Sequence, residues 1–160
     1  MTIVSNTSPL LNLALIERLH LVEAQFGEVV IPRVVWDELT AGAEGRDLIE
    51  AFHDRGGMRI VSPKPTELRT EFERQLDRGE AAAIAYAIEV DAERVLIDER
   101  EGRATATRHG VPVTGVVGIL LRASAREAID LETELDALRE AGFWISDALY
   151  DRALEMDGNR

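Results

Sequence analysis

Four oxygen-bearing side chains stand where the chain changes from one kind of segment to another: Asn6, Glu38, Glu80 and Asp98. Asn6 closes the short apolar run Ile3-Val4, and Asp98 closes Val95-Leu96-Ile97. Glu38 lies one turn into the stretch that Pro32 opens, and Glu80 follows Gly79. Three carboxylates and one side-chain carbonyl brought to a single edge would form an oxygen-rich cluster, unfavourable when bare because like charges repel and raise each other's pKa. A hard divalent cation relieves that cost, and oxygen-only ligands select Mg²⁺ or Mn²⁺ over zinc. Such an ion can hold a phosphodiester oxygen and lower the pKa of a water for in-line attack. Each residue also has a plainer reading. Glu38 sits in Trp36-Asp37-Glu38-Leu39, where a solvated helix face is the default; Glu80 suits a helix dipole; Asp98 can cap the helix after it. Asn6 and Ser8 can simply turn the chain, with Ser8 as N-cap and Pro9 in the first helical position.

The elements that must position these groups follow from the hydrophobic pattern. Strands are expected at Ile3-Val4, Glu28–Ile31, Met58–Val61, Val95–Ile97 and Val111–Thr114. Helices are expected at Pro9–Leu19, about Leu21–Phe26, Pro32 to Gly42, Glu44–Arg55, Thr66–Leu76, Glu80–Val90, Arg100–His109, Val116–Ala125, about Leu131–Ala141 and Ser146–Met156. Val95-Leu96-Ile97 is apolar throughout, as a parallel strand buried on both faces must be. Strands alternating with helices predict a parallel sheet covered on both sides. In such a sheet Asn6 and Asp98, ending neighbouring strands, share the carboxyl edge, where open α/β folds place ligands.

Composition narrows the chemistry. The chain has 160 residues, 46% of them hydrophobic, which suits one globular domain. It has no Cys, which excludes disulfides, thiolate zinc sites and thiol nucleophiles. Its three histidines, His20, His53 and His109, show no ligand spacing. Neither a Gly-x-Gly-x-x-Gly nor a phosphate-binding P-loop is present. No apolar run reaches the roughly 18 residues of a membrane span, and the start lacks a basic-then-apolar leader, so a soluble, cytoplasmic protein is expected. Net charge is −12, from 30 Asp+Glu against 18 Lys+Arg. That argues against a generic basic nucleic-acid binder. Lys64 is the only lysine. Abundant carboxylates with almost no lysine suggest halophilic adaptation, in which case the acidity describes the solvent rather than the ligand. Arg100, Arg103 and Arg108 lie on the helix after Asp98 and include candidate phosphate contacts. Trp36, Trp144 and Tyr86 read as core or dimer contacts.

Ile3-Val4-Ser5-Asn6-Thr7-Ser8-Pro9-Leu10, Val30-Ile31-Pro32 with Glu38, Gly79-Glu80-Ala81-Ala82-Ala83-Ile84, Leu96-Ile97-Asp98-Glu99-Arg100 with Gly102, Thr114-Gly115 with Gly118-Ile119-Leu120, and Gly142-Phe143-Trp144-Ile145-Ser146 recur in one order. Together they make the chain resemble a PIN-domain protein, of the branch similar to VapC-type toxins. The resemblance implies a three-layer αβα sandwich around a mostly parallel sheet, a single domain over residues 1–160. The C-terminal helices, about 131–157, would pack on it or in a dimer. It further implies a Mg²⁺- or Mn²⁺-dependent endoribonuclease, a homodimer and the toxin of a toxin–antitoxin pair, blocked by a small antitoxin protein. By position, Asn6, Glu38, Glu80 and Asp98 match the catalytic metal site, with Asp98 or Glu80 activating water. Thr7, Ser8, Thr114 and Arg100 match its substrate-binding rim. Two departures stand out. Asn6 is neutral where the nuclease pattern has an acid, and Ala82 replaces a second Glu, which favours one metal over two.

Overall fold

The computed structural model describes residues 1–158. In chain order its elements are β1 (Ile3–Ser5), α1 (Thr7–Leu15), α2 (His20–Phe26), β2 (Val29–Pro32), α3 (Arg33–Leu39), α4 (Arg46–Asp54) and β3 (Met58–Val61). They continue through α5 (Glu67–Phe72), α6 (Arg78–Glu89), β4 (Arg94–Leu96), α7 (Arg100–Arg108), β5 (Val113–Thr114), α8 (Val116–Ala125), α9 (Leu131–Glu140) and α10 (Asp147–Gly158). The five strands form one sheet in the order β3-β2-β1-β4-β5, every neighbouring pair parallel.

Successive residues on a strand face opposite sides, and the core divides accordingly. Ile3 and Leu96 face one layer, in which Leu10 and Leu13 of α1, Ile119 and Leu120 of α8, and Leu135 and Leu138 of α9 are buried. Val4, Val95 and Ile97 face the other, filled by the alanines and Ile84 of α6 and Ala106 of α7. The result is the αβα sandwich anticipated from the alternation of elements. Ala81, Ala83 and Ala87 are fully buried, so α6 lies close against the central strands.

The topology fixes where a ligand could bind. Chain leaving β1 goes outward to β2 and β3, whereas β4 returns to the far side of β1 and continues to β5. The helices following β1 and β4 therefore diverge, opening a crevice at the carboxyl edge between the two strands. Ser5 pairs with Leu96, and the Asn6 N–H donates to Leu96 O at 2.9 Å, which sets Asn6 and Asp98 at that crevice.

Several boundaries differ from the sequence expectation. The first helix starts at Thr7, so Asn6 takes the N-cap position and Pro9 the third helical one, where its missing N–H is again one that a helix leaves unbonded. Ser8 is thus inside the helix and is not its cap. The same helix stops at Leu15, and the helix expected over Thr66–Leu76 is α5, ending at Phe72, because its polar sequence offers little apolar face to extend. The alanine helix starts two residues early, at Arg78, capped by Asp77. Among the described residues no helix is long and apolar enough to cross a membrane.

Candidate active site

Asn6 has extended backbone and its side chain makes no capping bond. It is only 4% exposed, and its Oδ1 is buried without a hydrogen-bond partner. Glu38, near the end of α3, reaches the same place from the other side, its Oε1 accepting a short hydrogen bond from the Thr7 hydroxyl. Gly79 makes the meeting possible. A Cβ at that position would collide with Glu38 Oε1 and stand 3.1 Å from Asn6 Oδ1, so both oxygens lie over its bare backbone.

Glu80 is placed by a reciprocal cap at the start of α6. Its N–H donates to Asp77 Oδ1 at 2.8 Å, and the Asp77 N–H donates to Glu80 Oε2 at 3.2 Å. The other oxygen, Oε1, is buried and unpartnered. Burial pushes the Glu80 carboxyl up to about 7, with the charge of Asp77 next in weight. Glu99 and Glu38 push the same way, while the Asp77 N–H opposes them.

Asp98 is held differently. Its Oδ1 accepts the Val116 N–H at 2.7 Å, capping α8 rather than the helix that follows it in sequence, and its Oδ2 accepts the Ser8 hydroxyl at 2.8 Å. Ser8 is steadied by Asn12, whose Nδ2 donates to Ser8 Oγ at 3.0 Å. Burial raises the Asp98 carboxyl above its ordinary value, Glu99 adds to this, and the two hydrogen bonds and Arg103 oppose it. Gly115 permits that packing: a Cβ there would stand 2.8 Å from both Asp98 Oδ1 and Arg103 Nη1.

The sequence-derived residues therefore fall into two adjoining spaces. Asn6, Thr7 and Glu38 line a cleft of about 310 Å³ with Asp77 and Glu99. Asp98, Arg100 and Thr114 line a larger groove of about 1250 Å³, in which Thr114 Oγ1 accepts from Arg94 Nη1 at 2.7 Å. Ser8, Asn12 and Glu99 form the wall common to both. The structure thus brings Asn6 and Glu38 together over Gly79 with Glu80 adjacent, and sets Asp98 across the Ser8 wall. Among the described residues no three His, Asp or Glu side chains are gathered as a ready metal-ligand cluster. The donors nevertheless suit a hard cation. All are oxygens, and two of them, Asn6 Oδ1 and Glu80 Oε1, are buried with no hydrogen-bond partner, a state that disfavours the bare protein.

Two contributors were missed from sequence. Asp77 had a readable signal, the Asp-x-x-Glu spacing of a capping box in Asp77-Arg78-Gly79-Glu80. Glu99 had none, since an acid beside Asp98 at a helix start looks like ordinary dipole stabilisation.

The family model for DUF3368, a PIN domain, matches residues 2–159. The chain belongs to the PIN-domain family. The PIN fold is also found by structural comparison with a PilT N-terminus domain protein, SSO1118, from the hyperthermophilic archaeon Sulfolobus solfataricus P2. The two share 22% identity with a TM-score of 0.54, over 77% of this chain and 93% of that one. At that identity the similarity bears on fold alone. No curated protein matches the chain. PIN domains form a nuclease-type superfamily that generally depends on divalent metal and binds nucleic acid. The cleft described above occupies the carboxyl edge of this PIN domain's sheet.

Proposed function

We propose that this PIN domain is a Mg²⁺- or Mn²⁺-dependent endoribonuclease, the cytoplasmic toxin of a toxin–antitoxin pair, working as a homodimer that a small antitoxin protein blocks. The observation that carries the catalytic part is the pair of buried, unpartnered oxygens, Asn6 Oδ1 and Glu80 Oε1, beside Glu38 at the sheet's switch point. Asn6, Glu38 and Glu80 would hold the ion, with Asp98 completing the set from across the Ser8 wall. The chemistry that Mg²⁺ or Mn²⁺ supplies when bound is polarisation of a phosphate oxygen and a lower pKa for water. Within the protein, Thr7 fixes the Glu38 carboxylate, and Asp77 fixes one oxygen of Glu80, leaving the other buried beside Gly102 without a hydrogen bond. In the metal-free protein the Glu80 carboxyl is pushed up to about 7, so binding the ion would displace a proton from it near neutral pH. Asn6 supplies a donor without a charge, leaving the site one negative charge short of the usual pattern. Mn²⁺-dependent cleavage of RNA that disappears in Glu80→Gln and Asp98→Asn tests the proposal; no cleavage by the wild type with either ion at any salt concentration overturns it.

The neutral Asn6, and an Asp98 whose two oxygens are both already bonded, favour a second reading: a PIN-domain binding module without turnover. It predicts RNA or antitoxin binding with weak Mn²⁺ affinity. Calorimetric titration of Mn²⁺ into the wild type and Glu38→Gln separates the two, since only a working site loses strong binding on that substitution.

A further inference from the structure

Asn12 is the one polar residue in Pro9-Leu10-Leu11-Asn12-Leu13-Ala14-Leu15, the apolar body of α1. Asparagine is a weak helix former, because its side chain competes for backbone groups. Here the side chain is half-buried and turns one helical turn back, onto Ser8. Its Nδ2 donates to Ser8 O at 2.9 Å and to Ser8 Oγ at 3.0 Å.

The direction of these bonds is forced. A backbone carbonyl only accepts, so the contact with Ser8 O requires the amide nitrogen, not the amide oxygen, on that side. The same nitrogen can only donate, so Ser8 Oγ accepts from it. The single hydrogen of the Ser8 hydroxyl is thereby left for another acceptor, and Asp98 Oδ2 stands 2.8 Å away. In a helix a serine hydroxyl otherwise turns back to a carbonyl of the preceding turn. A chain of bonds therefore runs from Asn12 through Ser8 to Asp98, joining α1 to the residue just past β4.

The groove shows what this chain prevents. Arg103 crowds against Gly115 beside Asp98, and Arg94, Arg100, Arg122 and Arg152 line the same space. A free carboxylate among guanidinium groups pairs with one of them and takes its orientation from that pair. Among the described residues Asp98 forms no ion pair. It accepts the Val116 N–H on Oδ1 and the Ser8 hydroxyl on Oδ2.

We propose that Asn12 is a positioning residue of this site: by committing the Ser8 hydrogen to Oδ2, it holds the Asp98 carboxylate off Arg103 and in the orientation from which it completes the ion set. The part played toward the ion rests on the reading of Asp98 as a ligand; the chain of bonds rests on geometry alone. Asn12 acts through Ser8, so its effect must vanish once the hydroxyl is gone. Removing an outer hydrogen bond of this kind lowers metal affinity about ten- to hundredfold.

The test is a double-mutant cycle on the full chain, comparing wild type, Asn12→Ala, Ser8→Ala and the two together. One measurement is calorimetric titration of Mn²⁺. The other needs no ion: the carboxyl-carbon NMR signal of Asp98 in EDTA at one fixed pH, assigned by its loss in Asp98→Asn. Asn12→Ala should weaken Mn²⁺ binding about tenfold and move the Asp98 signal in the direction that Ser8→Ala moves it. The melting temperature should stay nearly unchanged, since alanine is the better helix former and offsets the lost bond to Ser8 O. In the double variant neither measurement should go beyond Ser8→Ala alone. An Asn12 that merely supports the helix would instead lower the melting temperature and add its loss to that of Ser8→Ala. An unchanged Asp98 signal in Asn12→Ala, or losses that add in the double variant, overturns the proposal. Mn²⁺ binding that Asn12→Ala leaves intact keeps the ion site and removes the positioning role. No Mn²⁺ binding by the wild type, with an Asp98 signal that still depends on Asn12 through Ser8, keeps the positioning and removes the ion reading.

Discussion

Replacing Glu80 by Gln should make the metal-free protein more stable and the metal-loaded protein less so. The carboxyl is pushed from 4.5 to about 7 by burial and by Asp77, Glu99 and Glu38. Between those two values the folded chain keeps a proton that the unfolded chain has released. Stability therefore falls as pH rises from about 4.5 to about 7, and is level above. At about 1.4 kcal/mol per unit the whole shift corresponds to at most about 3–4 kcal/mol, and screening and relaxation around the group reduce it to about 1–2 kcal/mol. Gln removes the charge and keeps an oxygen for the Asp77 N–H, so the reciprocal cap survives. In metal-free buffer at pH 8, Glu80→Gln should melt about 3–6 °C above the wild type. By pH 4.5 the difference should shrink to within about 0.5 kcal/mol, since there the wild-type group is protonated in the folded state and half protonated in the unfolded. With Mn²⁺ at a hundred times its dissociation constant the wild type should gain about 2.7 kcal/mol, and Glu80→Gln almost none. Thermal melts at fixed ionic strength, with and without EDTA, read both effects. A variant no more stable than the wild type at pH 8, or one that keeps the full Mn²⁺ stabilisation, would refute the assignment of Glu80 to a strained, ion-ready site.

Gly79→Ala should abolish tight Mn²⁺ binding while the chain stays folded, because the new methyl displaces Glu38 Oε1 from Asn6 Oδ1; calorimetry with circular dichroism checks both halves. Ser8→Ala should cost about 1–2 kcal/mol by leaving Asp98 Oδ2 without its donor, read by urea unfolding. It should also move the Asp98 titration further up, visible by carboxyl NMR, because a bond that favoured the charged form is gone. If the acidic, lysine-poor surface is adapted to high salt, molar KCl should raise the melting temperature by several degrees over low salt, and equal stability in the two would remove that reading.

Much of the fold was legible because periodicity carries it. The apolar run Val95-Leu96-Ile97 and the alanine-rich stretch after Gly79 became a central strand and the helix packed on it. Element ends were less so. Ser8-Pro9 has the composition of a helix start, yet the helix begins at Thr7, and the Ser8 hydroxyl serves Asp98, ninety residues away in sequence. Local propensity holds no information about such a partner. The same limit applied to the site. That Asn6 and Asp98 share the carboxyl edge followed from neighbouring parallel strands. That Asp98 turns into the groove, capping α8, depended on where Gly115 and Val116 return. Trp144 reads from the sequence as a core or dimer contact, and its 82% exposure in the turn between α9 and α10 excludes only the core half of that expectation.

The split between cleft and groove explains how so acidic a chain could act on a polyanion. A single pocket holding Asn6, Glu38, Glu80, Asp98 and the arginines would neutralise itself, each guanidinium pairing with a carboxylate and leaving neither ion nor phosphate a partner. Ser8 and Asn12 form part of the wall that separates the two charges. Ser8 takes up Asp98 Oδ2, and Val116 takes up Oδ1, so that no ion pair forms between Asp98 and Arg103 although both crowd against Gly115. The arginines are left for phosphate and the unpartnered oxygens for a cation. Asp98, at the boundary, lines the groove together with Glu99 and stands one wall from the cation site. Removing the wall hydroxyl in Ser8→Ala should therefore weaken cleavage more than RNA affinity, since the arginines keep their positions while Asp98 loses the bond that holds it away from Arg103.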